Sequence, residues 1–144
     1  MKTAFYTLAL CLVTTIGFAE SPEKRAGPVY EVQPIGWVRK SENRTIIEVD
    51  KKYQAALMGV EKLDEIWVLY WFDRNDTAEL RGILQVHPRG NPDNPLRGVF
   101  ATRAPVRPNL IALSRCRVIS VQDNIIEIDM IDAFPDTPVL DIKP

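Results

Sequence analysis

The chain has 144 residues, of which 46% are hydrophobic and 26% are charged, and its formal net charge at pH 7 is −1. The length suggests one domain, and the composition is ordinary for a folded protein rather than a disordered one. Eleven prolines are many for this length. Because proline lacks a backbone N–H and fixes φ, they argue against long helices and favour short strands joined by structured loops.

The first 19 residues have the pattern of a secretory signal peptide. Lys2 precedes the uncharged apolar run Ala4 to Ile16, and the small residues Gly17 and Ala19 fit a signal peptidase site. The run is shorter than the roughly 20 apolar residues of a membrane-spanning helix, although an uncleaved anchor is the alternative. We therefore expect cleavage after Ala19, export to the periplasm or the exterior, and no stable membrane anchor afterwards. If this segment is not a functional signal, the protein is cytoplasmic.

Residues 20–29 are predicted to form a flexible mature N-terminus, and residues 30–144 the folded domain. The predicted strands are Tyr30 to Trp37, Arg44 to Val49, Glu65 to Phe72, Ile83 to Val86, Val99 to Thr102, Ile111 to Val121 and Ile125 to Met130. Between them, Lys51 to Leu57 is predicted to form a short helical turn closed by Gly59. Short strands with turn signals between them favour an all-β barrel or sandwich. No G-x-G-x-x-G follows a strand, which argues against a Rossmann fold.

Few side chains suit metal or nucleophilic chemistry. His87 is the single histidine, which excludes a multi-histidine metal site, and we expect no metal. Cys116 lies in a predicted apolar strand and is interpreted as a core thiol, not a nucleophile. Paired carboxylates, Asp132 with Asp136 or Asp141, are better explained by loop capping and by pairing with arginines.

Positive charge is concentrated in one segment. Between Arg81 and Arg117 there are seven arginines, no lysine, and Asp93 as the single acid. The acidic segment from Ser120 to Pro144 could simply neutralise it across the fold. Arginine, however, is favoured where a planar fork must hold a carboxylate or a phosphate at two points. The segment therefore favours an anionic ligand, without choosing between a nucleic acid and a small molecule.

Three local patterns suggest a binding site. They are the Pro/Gly/Asn-rich loop 86–98 with His87 and Arg89, the segment 98–109 with Arg103 and Arg107, and the segment 137–144, in which Asp141 and Lys143 share one face of a strand. Each could be a rigid turn stabilised by local pairs. A long loop that carries His and Arg is more often functional, and the three together favour function.

These segments resemble the TsaA-like, or TrmO, family of tRNA methyltransferases. The string GVFATRAPVRPNLIALS at 98–114 is similar to the family's G-V-F-A-T-R-S-x-x-R-P-N-P-I-G-x-S, and PDTPVLDIKP at 135–144 is similar to its D-G-T-P-V-x-D-I-K-P-Y. PIGWVRK at 34–40 and EKLDEIWVLYWF at 61–72 look like its opening and central strands. The similarity covers most of residues 30–144.

The resemblance implies a small antiparallel β-barrel that forms a homodimer and binds S-adenosylmethionine near the dimer interface. The implied activity is N6-methylation of threonylcarbamoyladenosine beside the anticodon of tRNA. By matching position, the implied cofactor-binding residues are Asp73, Arg74, Arg103, Leu113, Met130, Ile131 and Asp132. Arg107, Asn109, Asp141 and Lys143 match the family motif and are expected around the same pocket; with His87 and Arg89 they form the predicted substrate-binding set. No catalytic residue is assigned.

The chain departs from the family pattern at two glycines, which are replaced by Ala112 and Asp136; Leu110 and Pro135 also differ. Losing glycine at a backbone-dependent place can alter how a cofactor approaches. A signal peptide would also place the protein where neither tRNA nor S-adenosylmethionine is expected. One alternative is therefore an exported, catalytically silent module that binds a nucleoside-like or anionic small molecule. Another is a structural or interaction protein that keeps the dimeric barrel.

Overall fold

The structure is a computed structural model that describes residues 27–144. The chain divides into two units, of which the second, Glu31–Pro144, is compact and contains nearly all of the described residues. The predicted signal peptide and most of the predicted mature N-terminus lie outside the described residues. In residues 27–144, no helix has the length and apolar character needed to cross a membrane.

Six strands of the second unit close into an antiparallel barrel, which confirms the predicted β-barrel. In barrel order the strands are β1 (Gly36–Ser41), β2 (Arg44–Val49), β7 (Ile125–Ile128), β6 (Ile111–Gln122), β3 (Glu65–Trp71) and β8 (Pro138–Lys143), and β8 pairs back onto β1. A separate two-stranded sheet pairs β4 (Gln85–Val86) with β5 (Arg97–Gly98).

Helical structure within the described residues is short. The single α-helix, α1, is Ala78–Arg81. The 3-10 helices are Lys51–Leu57, Val60–Lys62, Asp73–Asn75, Pro88–Gly90 and Val99–Ala101. The helical turn predicted at Lys51 to Leu57 is confirmed.

Every second side chain of a strand fills the barrel interior, because successive residues of a strand point to opposite faces. Along β3, Ile66, Val68 and Tyr70 are buried, and they face Cys116 and Ala112 of β6 in register. Burying a side chain the size of Val or Ile stabilises the fold by about 1.5–3 kcal/mol. The predicted core position of Cys116 is confirmed, since its side chain is fully buried.

Two tight turns fix the register of the barrel. Glu42 and Asn43 connect β1 to β2, and Asp123 with Asn124 connects β6 to β7, as the predicted hairpin requires. Asp123 has a φ of 53°, a conformation that aspartate tolerates better than most residues. The side chain of Asn124 donates to the main-chain oxygen of Val49 over 2.6 Å, which ties this turn to the end of β2.

Some predicted strands are wrong in extent or type. The first begins at Gly36 rather than near Tyr30, since Pro34 has no N–H for a ladder and Val32 is 58% exposed. Of the strand predicted at Ile83 to Val86, the structure contains only the two residues of β4, Gln85–Val86. Val99–Ala101 is a 3-10 helix and not a strand, because the hydroxyl of Thr102 and its main-chain N–H both bond back to the oxygen of Val99.

Candidate functional site

A cavity of about 670 Å³ lies where β3 ends beside the start of β6. The register pairs Tyr70 with Ala112 and Trp71 with Ile111, so these two strand ends share one wall. The other walls come from Phe72 to Asn75, from the loop between Thr102 and Arg107, and from the segment that leads into β8. Barrel closure therefore gathers stretches from four parts of the sequence around one space.

Tyr70 connects three of these stretches. Its hydroxyl donates to the main-chain oxygen of Asp132 over 2.5 Å and is 3.2 Å from the hydroxyl of Ser114. Burial raises the pKa of Tyr70 above its ordinary value, so the phenol is protonated at neutral pH. The ring also packs edge-to-face against Phe72, with centroids 5.8 Å apart. Tyr70 thus holds the segment at Asp132 against β3 and β6.

The segment from Ile131 to Thr137 is also tied to β1. Lys40 donates to the main-chain oxygen of Ile131 over 2.8 Å. The guanidinium of Arg39 pairs with the Asp136 carboxylate, and the Asp136 N–H donates to the oxygen of Val38 over 2.7 Å. The cavity wall at this segment is therefore built by contacts from two sides of the barrel.

Both glycine departures are compatible with this architecture. Asp136 has a φ of 65°, the left-handed conformation that favours glycine and that aspartate adopts more easily than most residues. Its carboxylate gains the pairing with Arg39, which a glycine lacks. Ala112 lies inside β6, is buried opposite Tyr70, and has a negative φ. Neither replacement breaks the wall of the cavity.

Three arginines stand on the cavity wall without a carboxylate partner among residues 27–144. The guanidinium of Arg74 lies 4.0 Å from the ring centroid of Phe134. Arg107 donates a long bond of 3.5 Å to the oxygen of Ala104. Arg103 makes no ion pair within the described chain and is close enough to Tyr70 for its charge to act on that phenol. The wall therefore offers free positive charge beside aromatic rings.

Arg81, in contrast, has a structural role. It pairs with Asp76 over 2.8 Å and donates to the oxygen of Pro108 over 2.9 Å, so it ties α1 to the loop before β6. The hydrogen bonds from Arg81 and from the indole of Trp71 lower the pKa of Asp76. This arrangement supports the loop that carries Arg103 and Arg107.

A second cavity of about 400 Å³ adjoins the first and shares Arg103, Ser114 and Asp132 with it. Asp73, Arg74 and Leu113 line the first cavity, and Met130 and Ile131 line the second. The structure thus brings all seven predicted cofactor-binding residues to this pair of cavities. Ile131 is 4% exposed and Met130 is 68% exposed, so these two neighbours differ in how much they could offer a ligand.

The predicted substrate-binding residues are more scattered. Arg107 lines the first cavity, whereas His87, Arg89, Asn109, Asp141 and Lys143 line neither. Asp141 and Lys143 do share a face of β8, where they pair with each other over 2.7 Å. Asp141, Lys143 and Asn109 are thus not among the residues that line the two cavities.

His87 helps to build its own loop. Its Nδ1 is 2.7 Å from the oxygen of Asn94, whose side chain donates to Pro88 over 2.8 Å.

Other cavity residues gave no signal in the sequence. Contacts between strands that are distant in the sequence bring three of them to the cavity: Tyr70, Ser114 and Lys40. Three others cannot be distinguished in the sequence from ordinary apolar core positions: Trp71, Phe72 and Phe134. In the structure Phe134 stands out as a candidate site residue, because its side chain is 59% exposed and lies beside the guanidinium of Arg74. Among residues 27–144, no group of three or more His, Cys, Asp or Glu side chains is arranged to hold a metal ion.

Known proteins resemble this chain over most of the described barrel. A probable S-adenosyl-L-methionine-binding protein of Methanocaldococcus jannaschii is 46% identical over 115 residues, covering 80% of this chain and 91% of that protein. The tRNA (adenine(37)-N6)-methyltransferase of Homo sapiens is 39% identical over 89 residues, covering 62% of this chain and 20% of that protein. The crystal structure of TrmO from Pseudomonas aeruginosa superposes with a TM-score of 0.63 at 28% identity, covering 84% of this chain and 56% of that one. The chain thus spans just over half the length of that solved structure.

The model of the tRNA-methyltransferase O N-terminal domain matches residues 31–144. This range contains the whole barrel and both strings, at 98–114 and 135–144, that carry the resemblance in the sequence. The chain therefore belongs to the family of TrmO N-terminal domains.

Proposed function

We propose that this chain is an S-adenosylmethionine-dependent methyltransferase that methylates N6 of an adenine in tRNA. The adenine lies beside the anticodon and carries the threonylcarbamoyl group that the family resemblance implies. The observation that carries the proposal is the pair of joined cavities, whose walls hold Arg103, Asp132 and aromatic rings. The similarity to a probable S-adenosyl-L-methionine-binding protein of M. jannaschii and to the tRNA (adenine(37)-N6)-methyltransferase of H. sapiens supports it.

The residues present fit the cofactor. Cavities that hold small molecules measure about 300–1,000 Å³, and the first cavity lies within that range. S-adenosylmethionine carries a carboxylate, an ammonium group and a flat adenine. Arg103 offers an unpaired guanidinium for the carboxylate, and Asp132 or Asp73 offers a carboxylate for the ammonium group. Leu113, with Met130 and Ile131 of the adjoining cavity, supplies apolar contact.

S-adenosylmethionine supplies an electrophilic methyl group on a sulfonium when it is bound. The chain's own contribution is to hold acceptor and donor in line, and orientation of this kind can account for about 7–11 kcal/mol of a barrier. Trp71, Phe72 and Phe134 line the space with aromatic surface. Because its pKa is raised, Tyr70 acts as a hydrogen-bond donor that positions Asp132 and not as a base.

Arg107 is the residue of the predicted substrate set that faces the cavity. The threonylcarbamoyl group of the acceptor ends in a carboxylate, which a guanidinium can bind at two points. Arg107 is therefore proposed to contact the acceptor, with Arg74 on the same wall as a second cation. His87 and Arg89 are proposed to act outside the cavity, on the flanking nucleic acid.

Export and dimerisation are separate proposals. Cleavage after Ala19 would move the protein away from tRNA and from S-adenosylmethionine, so export and tRNA methylation cannot both describe the working protein. The homodimer follows from the family resemblance, and sedimentation velocity of the purified protein tests it directly.

Calorimetric titration of S-adenosylmethionine tests the proposed activity. We expect micromolar binding by the wild-type protein and binding weaker by about tenfold or more in Arg103→Ala, which loses a charge-assisted contact. Arg44→Ala is the matched control, since Arg44 is bonded to Glu127 over 2.8 Å and lines neither cavity. A folded protein that takes up no S-adenosylmethionine would overturn the proposal.

Transfer of a labelled methyl group to threonylcarbamoyl-modified tRNA is the second measurement. Transfer that disappears in Arg103→Ala supports the enzyme. Binding of S-adenosylmethionine without transfer to any tRNA would instead favour the catalytically silent module.

A further inference from the structure

The arginines of the described chain fall into two groups. Arg39, Arg44, Arg81 and Arg115 form ion pairs within residues 27–144. The others in that range form none; they are Arg74, Arg89, Arg97, Arg103, Arg107 and Arg117. Four of these six lie between 89 and 107, where Asp93 is the single acid and also makes no ion pair within the described residues. The protein therefore leaves uncompensated positive charge on one continuous stretch.

Local hydrogen bonds hold this stretch in place. The register of β4 and β5 sets Arg97 opposite Val86, so Arg97 lies against the strand that leads into the Arg89 loop. That loop is closed by the ring of His87, whose Nδ1 is hydrogen-bonded to the main-chain oxygen of Asn94, and by the Asn94 side chain, which donates to the main-chain oxygen of Pro88. The backbone of Arg89 has a φ of 61°, a conformation that a residue other than glycine keeps only when its surroundings fix it. The two arginines are thus carried by an ordered loop.

Phe100 follows Arg97 and projects into solvent. Its side chain is 79% exposed, while its neighbour Val99 is 1% exposed and anchors the backbone through an N–H bond of 2.9 Å to Leu84. Phe100 stands two residues before Thr102, which lines the first cavity. Because consecutive Cα atoms are about 3.8 Å apart, the Cα of Phe100 lies within about 8 Å of the Cα of Thr102. An exposed aromatic ring thus lies two residues from the cavity lining, and the unpaired Arg97 lies three residues before that ring.

We propose that Phe100, Arg97 and Arg89 form a binding surface for the single-stranded RNA that flanks the base in the cavity. Proteins bind single strands by combining cationic groups that follow the phosphates with aromatic rings on which bases stack. Phe100 stacks on a base next to the acceptor, and Arg97 and Arg89 contact the neighbouring phosphates. This inference rests on the proposed function and adds the surface that positions the RNA.

Charge decides between RNA and a second copy of this chain as the occupant. In a symmetric dimer both copies contribute the same patch, and within residues 89–107 Asp93 is the single acid that could pair with an arginine of the other copy. Like charges placed across an interface are unfavourable, whereas RNA supplies a phosphate at every nucleotide. The surface therefore suits an anionic single strand better than its own copy.

Fluorescence anisotropy of a labelled anticodon stem-loop RNA, with adenine at position 37, tests the inference on the purified protein. Phe100→Ala should weaken binding by about tenfold and leave its salt dependence unchanged, since stacking carries no charge. Arg97→Ala should lower the slope of log affinity against log salt by about 0.7, the value for one lost phosphate contact on a single strand. Phe100→Trp should keep the wild-type affinity.

Two variants serve as controls. Met58→Ala removes another highly exposed apolar side chain, which is 91% exposed and lies far in the sequence from the proposed surface. Arg44→Ala removes an arginine that is paired with Glu127. Both should bind the RNA as the wild type does.

The same variants distinguish this inference from the proposed function. S-adenosylmethionine binding should be unchanged in Phe100→Ala and Arg97→Ala, because neither residue lines a cavity. If the cofactor binds and RNA affinity is indifferent to both substitutions, the surface is overturned while the proposed function stands. If Phe100→Ala dissociates a dimer in sedimentation and leaves RNA affinity intact, the surface is a contact between copies and the inference is again overturned. Failure of the wild type to bind S-adenosylmethionine counts against the proposed function itself.

Discussion

The hydroxyl of Tyr70 on β3 donates a hydrogen bond of 2.5 Å to the main-chain oxygen of Asp132, a residue 62 positions away in the sequence. Asp132 lines both cavities, and its position therefore depends on a phenol that is 3% exposed. The same hydroxyl contacts Ser114 on the next strand. A single buried oxygen thus sets the spacing between β3, β6 and the segment that leads into β8.

Tyr70→Phe should loosen this segment. Removing one buried hydrogen-bonding hydroxyl typically lowers the free energy of unfolding by about 1–2 kcal/mol. Calorimetry should show weaker binding of S-adenosylmethionine, because Asp132 loses its restraint, while the circular dichroism spectrum is unchanged. Tyr53→Phe is the matched control, since its hydroxyl makes no side-chain hydrogen bond within the described residues. Equal effects of the two substitutions on cofactor affinity would contradict the positioning role of Tyr70.

Substitutions at Asp136 should separate backbone strain from charge pairing. Asp136→Gly relieves a φ of 65° but loses an exposed ion pair with Arg39 that contributes about 0–1 kcal/mol, so the unfolding free energy should change little. Asp136→Val should cost about 1–2 kcal/mol, because a β-branched residue is poorly accommodated at this φ. Urea denaturation at pH 7 measures all three proteins. Equal stability of the Val and Gly variants would contradict the conformational argument.

Stability should fall at high pH through Cys116. Burial raises the pKa of this thiol to about 11, whereas the unfolded chain releases the proton near its ordinary pKa of about 8.5. The folded state keeps the proton when the unfolded state has lost it. The resulting stability is therefore fully present below about pH 8.5 and is lost as the pH rises toward 11, by at most about 3 kcal/mol.

Cys116→Ala removes this titration. Subtracting its unfolding free energy from that of the wild type at each pH isolates the thiol from the tyrosines. In a protein in which Cys11 is replaced by alanine, the native Cys116 thiol should also resist a maleimide at pH 8 until urea unfolds the protein. Rapid labelling of the native protein, or a difference between the two proteins that is independent of pH, would show that Cys116 is accessible.

Processing at the N-terminus gives the final prediction. If the proposed methylation of tRNA describes the working protein, intact-mass measurement of the protein from its native cell should show a chain that keeps residues 1–19, whereas a chain that begins at Glu20 would support cleavage at residues 17–19 and export. Ala19→Arg should block the cleavage and serves as the control. A mass that retains residues 1–19 would remove the argument for export and would make a cytoplasmic methyltransferase the consistent interpretation.

Much of the fold could be predicted from local patterns. The strand at Glu65 to Trp71 follows from a short run of apolar and β-branched residues, and the turn at Asp123 and Asn124 follows from the φ that these turn residues tolerate. The run predicts a buried strand, whereas the structure buries every second residue of it. The buried thiol of Cys116 follows from its place in an apolar strand. The strand predicted at Val99 to Thr102 was wrong. Val99 is a buried anchor and Phe100 is an exposed ring, and hydrophobic periodicity cannot distinguish such a pair from part of a strand.

The sequence by itself determined the family, through the two strings at 98–114 and 135–144, and the all-β class, through short strands and turns, while the choice of a barrel over a sandwich came from the family resemblance. Only the tertiary structure decided which of the motif residues meet. Pairing of β8 with both β1 and β3 closes the barrel and brings the Asp132 segment to Tyr70, while the same strand pairs Asp141 with Lys143 away from the cavity. These outcomes depend on contacts between strands far apart in the chain, and such contacts leave no periodic signal in the order of the residues.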